Sequence, residues 1–134
     1  MRNGIIAVAV AATVSGAPST IHARLTGGSV LTATRAAGTL LGRESVVRGL
    51  AAHLALSVSW GVVLSRVLPP GRRAASGLVA GAAIAALDLG VVGRRFPAIR
   101  ALPQFPQWAD HLVFGAVIGA TLDALARDGR VAVG

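Results

Sequence analysis

Long apolar stretches alternate with short polar segments along this chain. Four stretches stand out, at residues 4–21, 49–68, 74–93 and 108–126. Each is close to the roughly 20 residues that a helix needs to cross the hydrocarbon core of a bilayer. None shows the period of two that is typical of strands, and lipid cannot satisfy open backbone groups. The pattern therefore predicts an all-α, polytopic membrane four-helix bundle, with residues 1–134 as a single transmembrane domain.

The first stretch has a second interpretation. Met1 and Arg2 precede an apolar run that ends in small residues, as in a secretory signal cleaved after "IHA" or near "SGA". Its membership in the internal repeat described below favours a retained helix instead. In that case Pro18 is expected to bend or end the helix, because proline cannot donate the backbone hydrogen bond.

The polar connections differ in character. Residues 29–42 place apolar side chains on one side of a helical wheel and Thr and Arg on the other, with Ser29 as a candidate cap. This predicts a short amphipathic helix on the membrane surface, since a re-entrant hairpin would bury Arg35. Three prolines in residues 93–107 predict an extended or turning path, closed by Pro106. Trp108 then serves as an interfacial anchor at the start of helix four.

A repeat links the second and fourth stretches. His53, Ser57 and Gly61 align with His111, Gly115 and Gly119, and the first and third stretches align more loosely at Gly4 and Gly77. The alignment predicts two helical hairpins, the first with the amphipathic helix inserted. Small residues at intervals of four predict close helix packing in the bundle or in a homodimer. The candidate packing residues are Ser57, Gly61, Ser65, Gly77, Gly81, Gly115 and Gly119.

Composition and charge agree with a membrane protein. The chain is 54% hydrophobic and only 13% charged, against roughly a quarter charged in soluble domains. All 13 basic residues are arginine, and the net charge is +8. The arginines are scattered between the apolar stretches, which disfavours nucleic acid and favours anionic lipid headgroups. The absence of cysteine excludes disulfides and thiolate metal sites, and no cofactor is predicted.

Ionisable residues gather on one predicted side of the membrane. Four crossings place all three histidines and three of the five acids on the side reached after an odd number of crossings. The candidate polar cluster consists of His53, Asp88, His111 and Asp110. Such groups inside spans suggest a proton relay, a divalent-metal site or a hydrolytic centre. Structural roles explain them as well.

Each structural role is specific to one residue. Asp110 would cap helix four, and Asp88 would pair with Arg94 or Arg95, or with a serine on a facing helix. The two histidines would hydrogen-bond between helices. Asp123 and Arg127, at positions i and i+4, would form a helix-end ion pair.

Function is ordered by these alternatives. Without a hydrolase signature in the sequence, the leading prediction is a structural or accessory membrane subunit, packed against itself or a larger complex in the bilayer. The alternative is a small transporter or channel-like protein with a His/Asp proton or metal relay, and a membrane-embedded enzyme is third. The predicted location is the inner membrane. Arginines divide evenly between the two sides, so the short arginine-containing turn and tail place both termini in the cytoplasm.

One block carries a family resemblance. The segment "LDLGVVGRRFPAIRALPQFPQWADHLVFG", together with "SGAPST", "TRAAGTLL" and "HLALSVSWG", resembles a group of small four-helix integral membrane proteins of actinobacteria. The all-arginine composition agrees with a high-GC source. The resemblance implies a membrane location and four helices, and it implies no activity and no functional residue.

Overall fold

The computed structural model describes residues 2–131, and this part of the chain is helical without strands. Four segments are long and apolar enough to cross a membrane, at Arg2–Leu25, Val46–Val67, Arg73–Arg95 and Gln104–Gly129. The prediction of an all-helical protein with four such segments is confirmed. In chain order the α-helices are α1 (Arg2–Val14), α2 (Ala17–Leu25), α3 (Thr32–Ala37), α4 (Val46–Val67), α5 (Arg73–Leu87), α6 (Pro97–Arg100) and α7 (Gln104–Val131).

The first apolar segment is broken near its middle. Helix α1 ends at Val14 and α2 begins at Ala17. Pro18 has no N–H to donate to the Val14 carbonyl four residues earlier, so the helical ladder is interrupted at Ser15 and Gly16. The break matters for the site, because Ser15 and Gly16 both line the cavity described below.

The connection between the third and fourth segments is more helical than its prolines suggested. The short helix α6 forms at Pro97–Arg100, and α7 begins at Gln104 instead of the predicted residue 108. Pro106 therefore lies in the first turn of α7 and does not close a linker. Backbone N–H groups in a first turn have no helical partner, so proline is tolerated there.

Helix α7 is the centre of the packing, with α5 lying along it and α1 contacting both α7 and α4. A Cβ atom added at Gly77 would overlap the Gly115 carbonyl, and one added at Gly115 would overlap the Gly77 carbonyl. Gly81 and Gly119 similarly face backbone carbonyls of the opposite helix. The backbones of α5 and α7 are thus in direct contact along a glycine seam, as small residues permit.

The α4 stripe packs against α1 in a different register. Gly61 faces the side chain of Val8, and a Cβ at Gly4 would lie 3.4 Å from Ser65 Oγ. The repeat aligns Gly4 with Gly77, which would have paired it with Ser57. Because Val8 stands where α5 has a glycine, its branched side chain needs the space over Gly61. The repeat in sequence therefore does not extend to the packing register.

Large aliphatic side chains cover the outside of the bundle. Val47 is 77% exposed, Val79 71% and Ile5 65%, and many others exceed one third. Water-soluble monomers rarely expose apolar surface on this scale. Lipid tails are the solvent that suits such a surface.

The loop before α5 is held by an acid from α7. Asp123 accepts hydrogen bonds from the Arg73 N–H at 3.1 Å and the Gly71 N–H at 3.3 Å. Its Oδ1 also lies 3.3 Å from Arg73 Nη1. Asp123 therefore pairs with Arg73 rather than with the predicted Arg127, because α7 presents it to the open N–H groups of α5.

We expect Asp123→Ala to lower the free energy of unfolding by about 1–2 kcal/mol, the usual value of an N-terminal cap. Thermal unfolding of the detergent-solubilised protein measures this loss. Asp128→Ala is the matched control, since Asp128 is exposed near the end of the same helix. Equal stability of the two variants would contradict the capping role.

Candidate functional site

A cavity of about 610 Å³ lies inside the bundle between α1, α2, α4, the end of α5 and α7. All four residues of the predicted polar cluster line it, namely His53, Asp88, Asp110 and His111. Most of the remaining wall is apolar. The further polar side chains named in the site are Ser15, Ser19, Ser57 and Trp60. His22, in α2, is not among the lining residues.

Local backbone irregularities position the acids and histidines. Asp88 opens a π-helical segment, Asp88–Val92, that continues α5, and such segments are frequent at functional sites. Asp110 and His111 follow one another in the second turn of α7. His53 lies on α4, four residues before the buried Ser57 of the small-residue stripe. The cavity is therefore bounded by one bent helix and one irregular helix end.

Asp88 and His111 form the centre of the site. The carboxylate oxygen Oδ2 of Asp88 lies 3.5 Å from His111 Nε2. The same oxygen accepts a hydrogen bond from the indole N–H of Trp60 at 3.1 Å. His111 Nδ1 lies 2.8 Å from the Gln107 carbonyl oxygen one turn earlier. Three separate segments thus meet at one carboxylate oxygen.

This geometry fixes how many protons the pair carries. A carbonyl oxygen only accepts, so Nδ1 of His111 carries a hydrogen and donates it to Gln107. Without a further proton, Nε2 and the Asp88 carboxylate would present only lone pairs to each other. The contact is attractive when one proton lies on either group. Asp88 and His111 therefore make a site that holds one exchangeable proton.

The other two members of the cluster bond to the backbone of the first apolar segment. His53 Nε2 lies 2.9 Å from the Ala12 carbonyl oxygen of α1. Asp110 accepts the backbone N–H of Ser19 at 2.9 Å, within the first turn of α2. Asp110 thus caps α2 and not its own helix, because α7 begins six residues earlier. Both interactions join α1 and α2 to the helices around the cavity.

Metal and nucleophilic chemistry find less support here. Among residues 2–131, no group of three His, Asp or Glu side chains could hold a metal ion. The shared metal site of His53, Asp88 and His111 is therefore not formed in this structure. Ser19 Oγ donates to the Gly16 carbonyl at 3.2 Å. In the described part of the chain, no serine hydroxyl is hydrogen-bonded to an imidazole, so no nucleophile–base pair is present.

Two features of the site escaped the sequence analysis. Trp60 was unassigned, although an indole N–H in an apolar helix needs a partner and thereby signals one. Ser19 was also unassigned, and its role depends on the break at Pro18, which exposes the N–H groups of α2. Gly49 faces the Thr34 carbonyl and belongs to the α4 stripe that the sequence analysis began at Ser57.

Comparison with known proteins supplies no family for this chain, since no family model, curated protein or solved structure matches it.

Proposed function

We propose that the chain is an inner-membrane protein of four spans arranged as two hairpins, with both termini in the cytoplasm. The segment of α1 and α2 would pair with α4, and α5 with α7. Helix α3 and the following 3₁₀ turn would lie along the membrane surface. The exposed aliphatic surface and the four spanning-length segments support this arrangement. Kinship with the actinobacterial membrane proteins stays a prediction.

Within that membrane we propose that the protein is a small transporter or channel-like protein with a His/Asp proton relay. The observation that carries the proposal is the contact of Asp88 with His111 in the wall of a 610 Å³ cavity. Ionisable groups inside spans are expensive and mark ion or proton pathways. A proton-holding pair beside a cavity of this size is suited to exchange protons with its contents.

The flanking polar groups extend the same chemistry. Asp110 adds a second carboxylate to the cavity and His53 a second imidazole. Imidazole gains and loses a proton within the physiological pH range. A proton leaving Asp88 and His111 would therefore meet further acceptors along the wall. Three serines offer hydroxyl groups to a water or a polar solute in the cavity.

Proteoliposomes test the proposal. The full chain is reconstituted in vesicles with an internal pH dye, and a pH step is applied with valinomycin and potassium to clamp the membrane potential. We expect vesicles containing the protein to lose the pH difference faster than empty vesicles. Equal rates for filled and empty vesicles across several lipid compositions would overturn the proton relay.

A structural or accessory subunit is the second candidate, and the interhelical hydrogen bonds favour it. His53, Asp88 and Asp110 each bond to another helix, so each also serves as a tie within the bundle. This function predicts that substitutions of these residues lower stability or assembly and leave proton movement unchanged. Native mass spectrometry of the protein in nanodiscs would then show a homo-oligomer or a defined complex, with loss of assembly in the variants.

A further inference from the structure

A second cleft opens at the end of the bundle where α5 gives way to its π-helical continuation. Its volume is about 480 Å³, and it lies between that continuation, α6 and the start of α7. The lining residues are Leu89, Gly90, Arg94, Arg100, Gln104 and Trp108. Asp88, the acid nearest in sequence, is instead a lining residue of the first cavity.

The charge of this cleft is positive and uncompensated. Arg94 and Arg100 are both exposed. In the described part of the chain the ion pairs are Arg73–Asp123 and Asp88–His111, so neither arginine has an acidic partner. Trp108 is 37% exposed beside them. Two free guanidinium groups and a half-exposed indole thus share one concave surface.

We propose that this cleft binds a phosphate-bearing anion, of the kind carried by the headgroup of an anionic phospholipid. Guanidinium groups match phosphate oxygens in charge and in the spacing of their donors. The Gln104 side chain is already engaged with the carbonyl groups of Ile99 and Leu102, which keeps its amide against the cleft wall. Indole rings favour the headgroup level of a bilayer, where such a phosphate lies.

The floor of the cleft offers a substitution that leaves the charge untouched. A Cβ atom added at Gly90 meets nothing within 4 Å, so a side chain there enters open space. Gly90→Leu would therefore fill the cleft while both arginines remain. This separates occupancy of the cleft from general attraction between a basic surface and an anionic membrane.

The test uses the full chain in phosphatidylcholine nanodiscs that contain increasing amounts of phosphatidylglycerol. The phosphatidylglycerol is brominated near the headgroup end of its acyl chains, and quenching of Trp108 fluorescence is recorded. Brominated phosphatidylcholine gives the reference, and Trp108→Phe identifies the signal. We expect stronger quenching by the anionic lipid, with its apparent affinity reduced at least about tenfold by R94Q/R100Q, given the attraction of each arginine for an anionic surface.

The matched control is R43Q/R95Q, which removes the same charge from exposed arginines outside the cleft. A wild-type response in this control, together with a loss in Gly90→Leu, supports the site. Equal losses in both arginine pairs, or no preference for the anionic lipid, would overturn it. Competition by inorganic phosphate distinguishes the source: displacement at millimolar phosphate identifies a free phosphate ligand, and no displacement identifies the lipid headgroup. Either result supports a phosphate-bearing anion.

Discussion

Gly115→Ala is expected to destabilise the protein by about 2 kcal/mol or more, the scale of an overpacked core. The added methyl group would overlap the Gly77 carbonyl, and the nearest atoms belong to the backbone of α5. A flexible side chain could move aside, but here two helices must separate along the whole glycine seam. The free energy of unfolding in mixed detergent micelles measures the loss.

The same substitution elsewhere in α7 should have the opposite sign. A Cβ atom added at Gly129 meets nothing within 4 Å. Gly129→Ala therefore brings only the higher helix propensity of alanine, worth up to about 1 kcal/mol. If Gly115→Ala were as stable as Gly129→Ala, the direct contact between α5 and α7 would be refuted.

Asp88→Asn is expected to return proton movement in proteoliposomes to the level of empty vesicles. The substitution keeps the shape of the side chain and an oxygen that can accept from Trp60, but it removes the group that shares a proton with His111. Removing a positioned proton-transfer group commonly costs two or more orders of magnitude in rate. The expected loss of the protein-dependent rate is therefore at least about tenfold.

Two variants keep this prediction specific. His111→Gln should cause the same loss, because it removes the second member of the pair. Asp128→Asn removes one carboxylate from an exposed position outside the cavity and should leave the rate unchanged. An Asp88→Asn protein that is folded and still moves protons at the wild-type rate would rule out the relay.

The helical class and the four apolar segments could be predicted from the sequence because lipid restricts a spanning chain to few forms. The glycines at positions 77, 81, 115 and 119 were predicted as packing residues, and the structure places all four in one seam. Spacing of four on a helix defines a face, and glycine on that face permits backbone contact. The feature was therefore encoded locally.

The site was less accessible because its geometry depends on irregular backbone. The break before Pro18 determines where Asp110 finds its partner, and the π-helical segment determines where Asp88 lies. Sequence periodicity assumes regular helices and reports neither displacement. The start of α7 was placed four residues late for a related reason, since a proline in a first turn resembles a proline in a loop.

The meeting of Asp88 and His111 is the central claim, and a chain without cysteine allows it to be tested directly. The double variant D88C/H111C is treated in native membranes with dibromobimane, which becomes fluorescent only after it has bridged two thiols. We predict a fluorescent monomer from this pair and none from the control pair D88C/D128C. A labelled protein without bridging fluorescence, or bridging only between two chains, would contradict the claim.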